Sequence, residues 1–109
     1  MKDMQRMMKQ AQQMAAEMQK AQEGLADVEV EGSAGGGAVK VRATADQQIV
    51  GIEIDPDIFE GAPDGDDIEM LSDTVTAAVN DALNKARDAQ AEVLGPLAGG
   101  LGGMGLPGM

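Results

Sequence analysis

The stretch VEVEGSAGGGAVKVRATADQQIVGIEI, residues 28–54, decides the fold. Apolar and polar residues alternate in three runs within it, at 28–31, 38–44 and 49–54. A period of two is typical of strands that bury one face. The glycine-rich GSAGGG (32–37) and the polar ADQQ (45–48) separate the runs and read as turns. The pattern therefore predicts a three-stranded antiparallel sheet with one face to bury.

Long helical patterns flank this sheet. Residues 4–25 place apolar side chains at the a and d positions of a heptad, and residues 66–94 repeat them at helical spacing as far as Gly95 and Pro96. We expect an α+β subunit with the order α-β-β-β-α, in which the first helix and then the second cover the sheet. Residues 1–94 form the predicted domain, and the glycine-rich residues 95–109 are expected to be a disordered tail.

The core has little bulk for a chain of 109 residues. Its one aromatic residue is Phe59, and much of its 43% apolar content is Ala and Met. Six of the nine methionines lie in the first eighteen residues. A second copy is therefore expected to supply buried surface, through a helical seam that suits flexible Met side chains. The predicted dimer seam consists of Met4, Met7, Met14, Met18 and Leu25.

Charge is distributed unevenly along the chain. The net charge is −11, yet residues 1–22 carry four bases against two acids, whereas residues 43–109 carry two bases against thirteen acids. At about 100° per residue, the four N-terminal bases fall on one strip opposite the apolar stripe. These bases are Lys2, Arg6, Lys9 and Lys20. A polyanion would be repelled by most of the chain. The spacing leaves two interpretations of the strip open, a solvated face and a binding surface.

The acidic segment 52–71 is a candidate metal site because it holds eight carboxylates. Both possible calcium-loop registers fail, since they place Phe59 or Ile68 at the fifth position, where an oxygen ligand is required. A strand end, a turn and a capping box of Asp66 with Glu69 explain the segment better. No tight metal site is predicted.

The sequence offers no catalytic constellation. His and Cys are absent, and neither serine has a candidate base. Gly32 and Gly37 have the spacing of a phosphate-binding loop, but Ala38 and Val39 follow where Lys and Ser or Thr are needed. An enzyme, a cofactor and a small-molecule substrate are therefore not expected. The absence of a long apolar run and of a signal-peptide core predicts a soluble cytoplasmic protein without a membrane partner.

Four segments in order along residues 4–94 carry a resemblance to a known family: MKQAQQM (8–14), VKV (39–41), IDP (54–56) and NDA (80–82). The chain resembles the YbaB/EbfC family of bacterial nucleoid-associated proteins. That resemblance implies an intertwined homodimer whose long helices project from a central sheet. It also implies binding of double-stranded DNA with little sequence specificity, in the nucleoid, and a role in nucleoid organisation and gene regulation.

The resemblance also points to basic residues on the helices as DNA contacts. Lys9 lies in the first matching segment, and Lys85 and Arg87 follow NDA. Lys2, Arg6 and Lys20 join them because they share the strip with Lys9. The alternative function is a dimeric scaffold that binds protein partners through its Met-rich helix and binds DNA weakly or not at all.

Overall fold

The structure, a computed structural model, describes the backbone of residues 2–105 and the side-chain exposure of residues 2–96. Short 3₁₀ turns at Leu25–Asp27 and Pro56–Ile58 accompany the main elements. The main elements are helix α1 (Lys2–Gly24), strands β1 (Glu29–Ala34), β2 (Val39–Thr44) and β3 (Ile49–Ile54), and helix α2 (Gly65–Gly105). The predicted α-β-β-β-α order is confirmed.

The strands form one antiparallel sheet in the order β1-β2-β3. Val41 of the central strand pairs with Gly32 on one side and Ile52 on the other. The predicted turn at 32–37 is shorter than expected, because β1 continues to Ala34. Gly35, Gly36 and Gly37 make the turn with φ values of 66°, 67° and 92°, a left-handed backbone that glycine adopts without steric cost.

The core lies between α2 and the first two strands. β2 alternates buried and exposed residues, as a half-buried strand should. The helix faces it with a row of alanines at four-residue spacing, which keeps them on one side of α2. The buried cluster consists of Val39, Val41, Ala43, Ala78, Ala82 and Ala86.

Gly32 is the point of closest approach between α2 and the sheet. A Cβ atom built on this glycine would lie 2.2 Å from the Ala82 nitrogen and 2.8 Å from the Ala78 carbonyl oxygen. These distances are too short for any side chain, and both obstacles are backbone atoms. The helix rests directly on the strand backbone, which explains why a glycine occupies this position of β1.

The expectation that α1 also covers the sheet is wrong. α1 buries none of its residues. It contacts part of α2 and the 3₁₀ turn Leu25–Asp27. The α-helix ends at Gly24, and Leu25, which is 2% exposed, anchors the following 3₁₀ turn near β2. Leu25 is thus buried within the subunit, because the turn that holds it packs beside β2. It is not available to the predicted dimer seam.

The start of α2 is fixed by a capping box two residues earlier than predicted. The Asp67 backbone N–H donates to Asp64 Oδ1 at 2.9 Å, and the Asp64 N–H donates to Asp67 Oδ2 at 3.0 Å. Asp66 and Glu69 were expected to make this box. The helix begins at Gly65, so Asp64 occupies the N-cap position and its partner three residues later is Asp67.

The far end of α2 extends beyond the predicted stop at Gly95 and Pro96. The helical backbone continues to Gly105. Proline lacks an N–H and costs a helix one hydrogen bond, but its φ is compatible with helix and Pro96 lies on the exposed surface. Residues 106–109 lie outside the described part of the chain. The division into a 1–94 domain and a disordered tail stays a prediction.

A polar network joins α2 to the outer side of β1. The Ser33 N–H donates to Asp81 Oδ2 at 3.0 Å. Lys85 Nζ lies 3.2 Å from the same oxygen and donates to the Glu31 carbonyl oxygen at 3.1 Å. We call Ser33, Asp81 and Lys85 the strand clamp. The Ser33 N–H, and then the hydrogen bond from Lys85, lower the pKa of Asp81 below its ordinary value.

Replacing Gly32 with Ala should destabilise the protein by about 1–3 kcal/mol, because the new methyl group forces α2 away from β1. Urea unfolding followed by circular dichroism measures the loss. Gly24→Ala is the matched control, since a Cβ there meets nothing within 4 Å and the backbone φ is −67°. Equal midpoints for the two variants would contradict the close approach.

The strand clamp predicts a pH-dependent effect of Asp81→Asn. Because the folded state lowers the Asp81 pKa, its stabilising contribution is complete above the ordinary carboxyl pKa and is lost as the pH falls through the lowered value. The variant should melt at a lower temperature than the wild type near neutral pH and at the same temperature in strong acid. Asp88→Asn, which removes the same charge from the exposed side of α2, should show no such convergence.

Candidate nucleic-acid interface

Four basic side chains line one side of α1. Lys2, Arg6, Lys9 and Lys20 are all exposed, and at about 100° per residue they fall within roughly 60° of arc. We call these four residues the basic strip. At about 1.5 Å per residue the strip is roughly 27 Å long. All four predicted residues are exposed on α1, and their contact with DNA stays a prediction.

The arc of the basic strip on α1 holds no acidic residue. Gln13 and Gly24 are its other members, and Glu17, the acid nearest to it, lies about 20° outside it. Within residues 2–96 the two salt bridges are Arg42–Glu29 and Lys85–Asp81, so carboxylates neutralise none of the four strip cations. A row of exposed cations of this length can follow DNA phosphates over roughly eight base pairs, at about 3.4 Å per pair.

The two bases predicted on α2 lie in different surroundings. Lys85 belongs to the strand clamp and holds α2 on β1. Arg87 donates to the Asn84 side-chain oxygen at 3.2 Å. Their described contacts are with α2 and β1, and the structure does not bring them together with the basic strip. Whether either contacts DNA is an untested part of the site prediction.

The outer face of the sheet carries two further bases that the sequence reading did not select. Lys40 and Arg42 are both exposed on β2. The Arg42 guanidinium lies over Gly51, where a Cβ would be 2.8 Å from Nη2, and reaches Glu29 at 3.9 Å. Alternating polar residues on a strand look like an ordinary solvated face. Gly51 inside β3 was the sequence signal for the position of Arg42, because a glycine within a strand often marks a place where another group approaches the backbone closely.

An apolar surface remains exposed on the opposite side of α1. Met4 and Met7 are each 69% exposed, and Met14 is 41% exposed. We call Met4, Met7, Met14 and Met18 the methionine stripe. Leu25, the fifth residue of the predicted seam, is excluded because it is buried.

The third strand exposes apolar side chains as well. Ile52 and Ile54 pair with the buried Val41 and Val39, so they lie on the core face of the sheet, yet they are 46% and 44% exposed. The cause is that α2 rests on β1 and β2 and leaves β3 uncovered. We call Ile49, Ile52 and Ile54 the open β3 face.

Carboxylates in the acidic loop bind backbone groups of their own segment. Asp55 accepts from the Asp57 N–H at 2.9 Å, and Asp64 and Asp67 cap α2. Over the residues that the structure describes, no three His, Cys, Asp or Glu side chains are grouped closely enough to hold a metal ion. In the same part of the chain no helix combines the length and apolar character needed to cross a bilayer.

The solved structures show a similar fold. The crystal structure of the uncharacterized protein HP0035 from Helicobacter pylori matches with a TM-score of 0.69, over 84% of this chain and 92% of that one. The sequence identity is 18%, so this match concerns the fold alone.

Curated relatives are far more similar in sequence. A nucleoid-associated protein of Rhodococcus jostii (strain RHA1) is 47% identical over 107 residues, which cover 98% of this chain and 91% of the relative. A nucleoid-associated protein of Mycolicibacterium vanbaalenii is 44% identical over 98% of this chain and 94% of its own length. The model of the YbaB/EbfC DNA-binding family matches residues 1–101. With nearly its whole length matched in this way, the chain belongs to the YbaB/EbfC DNA-binding family.

Proposed function

We propose that this protein is a cytoplasmic homodimer that binds double-stranded DNA through the basic strip of α1. Contacts to phosphates supply the affinity, so sequence preference is slight, and the protein acts in nucleoid organisation and gene regulation. The observation that carries the proposal is the row of four exposed cations on α1, set apart from a chain whose net charge is −11.

The charge distribution favours weak and salt-sensitive binding. The row of four cations lies on the N-terminal helix, and the net acidic remainder of the chain repels a duplex. Two symmetric strips offer about four to eight phosphate contacts, which predicts a slope of about −4 to −7 for log affinity against log salt. Affinity should lie in the non-specific range of roughly 10⁻⁴ to 10⁻⁶ M at physiological salt.

Dimerisation follows from the apolar surface that one subunit leaves exposed. A 23-residue helix that buries none of its side chains gains little from packing within its own subunit, and isolated helices are marginal in water. The methionine stripe and the open β3 face are two exposed apolar surfaces, of the kind that marks protein–protein contacts. A second copy that covers both would stabilise α1 and hold two basic strips in a fixed relation.

The dimer proposal predicts the effect of Met14→Lys combined with Met18→Lys. Two charges in a buried seam are costly without partners, so the variant should be monomeric or unfolded where the wild type is a dimer. Light scattering at micromolar concentration measures the mass, and circular dichroism reports folding. Met70→Lys places the same charge on an exposed Met of α2, 46% exposed, and should leave the dimer intact. A double variant with the wild-type mass would refute the seam.

The DNA proposal predicts the effect of Arg6→Gln combined with Lys9→Gln. Loss of four phosphate contacts per dimer should weaken binding to duplex DNA at least tenfold and reduce the salt slope by roughly 3 to 4. Fluorescence anisotropy titrations at several salt concentrations measure both quantities. Lys40→Gln combined with Arg42→Gln is the matched control, because it removes the same charge from the sheet and should change binding little.

Two results would overturn this assignment of the site. Equal losses in the two double variants would show that total charge matters and the strip does not. Unchanged binding by the Arg6 and Lys9 variant would make the strip a solvated face. The exposed methionine stripe would then favour the second candidate function, a dimeric scaffold that binds protein partners through α1.

A further inference from the structure

The methionine stripe groups four thioether side chains on one side of a single helix. Thioethers are oxidised to sulfoxides by two-electron oxidants when the sulfur is accessible. Met4, Met7 and Met14 are 69%, 69% and 41% exposed in the subunit, so oxidants can reach them there. The chain has no cysteine, and no thiol competes for the oxidant.

We propose that the methionine stripe is a site of reversible oxidation by peroxides, and that its oxidation separates the subunits and releases DNA. The inference rests on the proposed function, because it assigns the stripe to the dimer seam and the opposite side of α1 to DNA. It adds a modification site, an oxidant class and a regulatory consequence.

The reaction is a simple oxygen transfer. The methionine sulfur donates an electron pair to one oxygen of hydrogen peroxide, the O–O bond breaks, and a sulfoxide and a water molecule form. Methionine loses two electrons and the peroxide gains them. Thiol-dependent methionine sulfoxide reductases carry out the reverse change.

The consequence follows from the position of the stripe. A sulfoxide is polar and a strong hydrogen-bond acceptor, so it is unfavourable in a seam whose stability depends on apolar burial. Four such groups lie within about four turns of α1, so modification of any of them affects the same seam. The basic strip itself is unchanged, but a single subunit presents one strip instead of two. The loss of bivalent attachment should raise the dissociation constant for DNA at least about tenfold.

The seam also makes oxidation depend on assembly. In the dimer the stripe is covered, so the oxidant reaches it through the separated subunit. DNA binds the paired form better and therefore lowers the concentration of separated subunits. Bound DNA should protect the stripe from oxidation.

Met8 and Met70 provide internal controls. They are 61% and 46% exposed and lie outside the stripe, Met8 to one side of it on α1 and Met70 on α2. Their oxidation should be harmless. A variant with Met4, Met7, Met14 and Met18 changed to Leu keeps these two methionines, so the mass gain of oxygen atoms at Met8 and Met70 proves that the oxidant has acted.

The experiment treats the full-length wild type with hydrogen peroxide, maps oxygen additions by mass spectrometry, and measures subunit mass by light scattering and affinity for duplex DNA by anisotropy. Oxidation of the stripe should convert dimers to monomers and weaken DNA binding, and the sulfoxide reductases should restore both. The four-leucine variant should stay dimeric under the same treatment. A variant with Met8→Leu and Met70→Leu should remain as sensitive as the wild type.

Three results would overturn the proposal. One is a wild-type dimer that survives with its stripe oxidised. Another is loss of the dimer in the oxidised four-leucine variant. The third is a variant with Met8→Leu and Met70→Leu whose dimer resists dissociation by peroxide. That result would contradict the proposal even if the four-leucine variant does not assemble. A reduced dimer that does not bind DNA would overturn the proposed function alone, because light scattering would still show whether oxidation separates the subunits.

Discussion

The contact of helix α2 with the backbone of β1 at Gly32 is the constraint on which the rest of the structure depends. Small residues on both sides make it possible: a glycine in the strand, and Ala78 and Ala82 in the helix. This contact sets the height of α2 above the sheet and brings Asp81 and Lys85 within reach of β1. It also positions α2 over the first two strands. Because α2 lies over β1 and β2, it leaves β3 uncovered and contacts only part of α1.

The same arrangement separates the molecule into parts with different chemistry. The compact part is acidic and carries the core, while α1 extends from it with cations on one side and methionines on the other. A cationic strip on an otherwise acidic chain limits where a polyanion can approach. Membership of the YbaB/EbfC DNA-binding family gives this separation its functional meaning.

The sheet and both helices could be predicted from the sequence because they depend on local periodicity. The period of two in VKV and IEI and the heptad of α1 are visible without any tertiary information. The basic strip could be predicted for the same reason, since one helix determines it. The capping pair is Asp64 and Asp67, two residues before the predicted pair. Several acids in this run can cap a helix, so the sequence does not identify which of them does.

Contacts between distant elements could not be predicted in this way. Gly32 looks like part of a glycine turn until α2 is placed beside it, and Leu25 continues the heptad until its turn is seen packed beside β2. The assignment of α1 as a cover for the sheet failed because an apolar stripe shows that a helix needs a partner but does not identify it. Lys85 likewise looks like any exposed base until its bonds to Asp81 and Glu31 are seen.

The acidic part of the molecule has a consequence for crowding on a duplex. Dimers bound side by side would bring bodies of equal negative charge within about one Debye length, roughly 10 Å at 0.1 M salt, where their repulsion is felt. Neighbours would therefore space themselves out along the DNA instead of polymerising into a continuous coat. Under the proposed function, this repulsion would favour a gap of about that length between neighbouring dimers over direct contact.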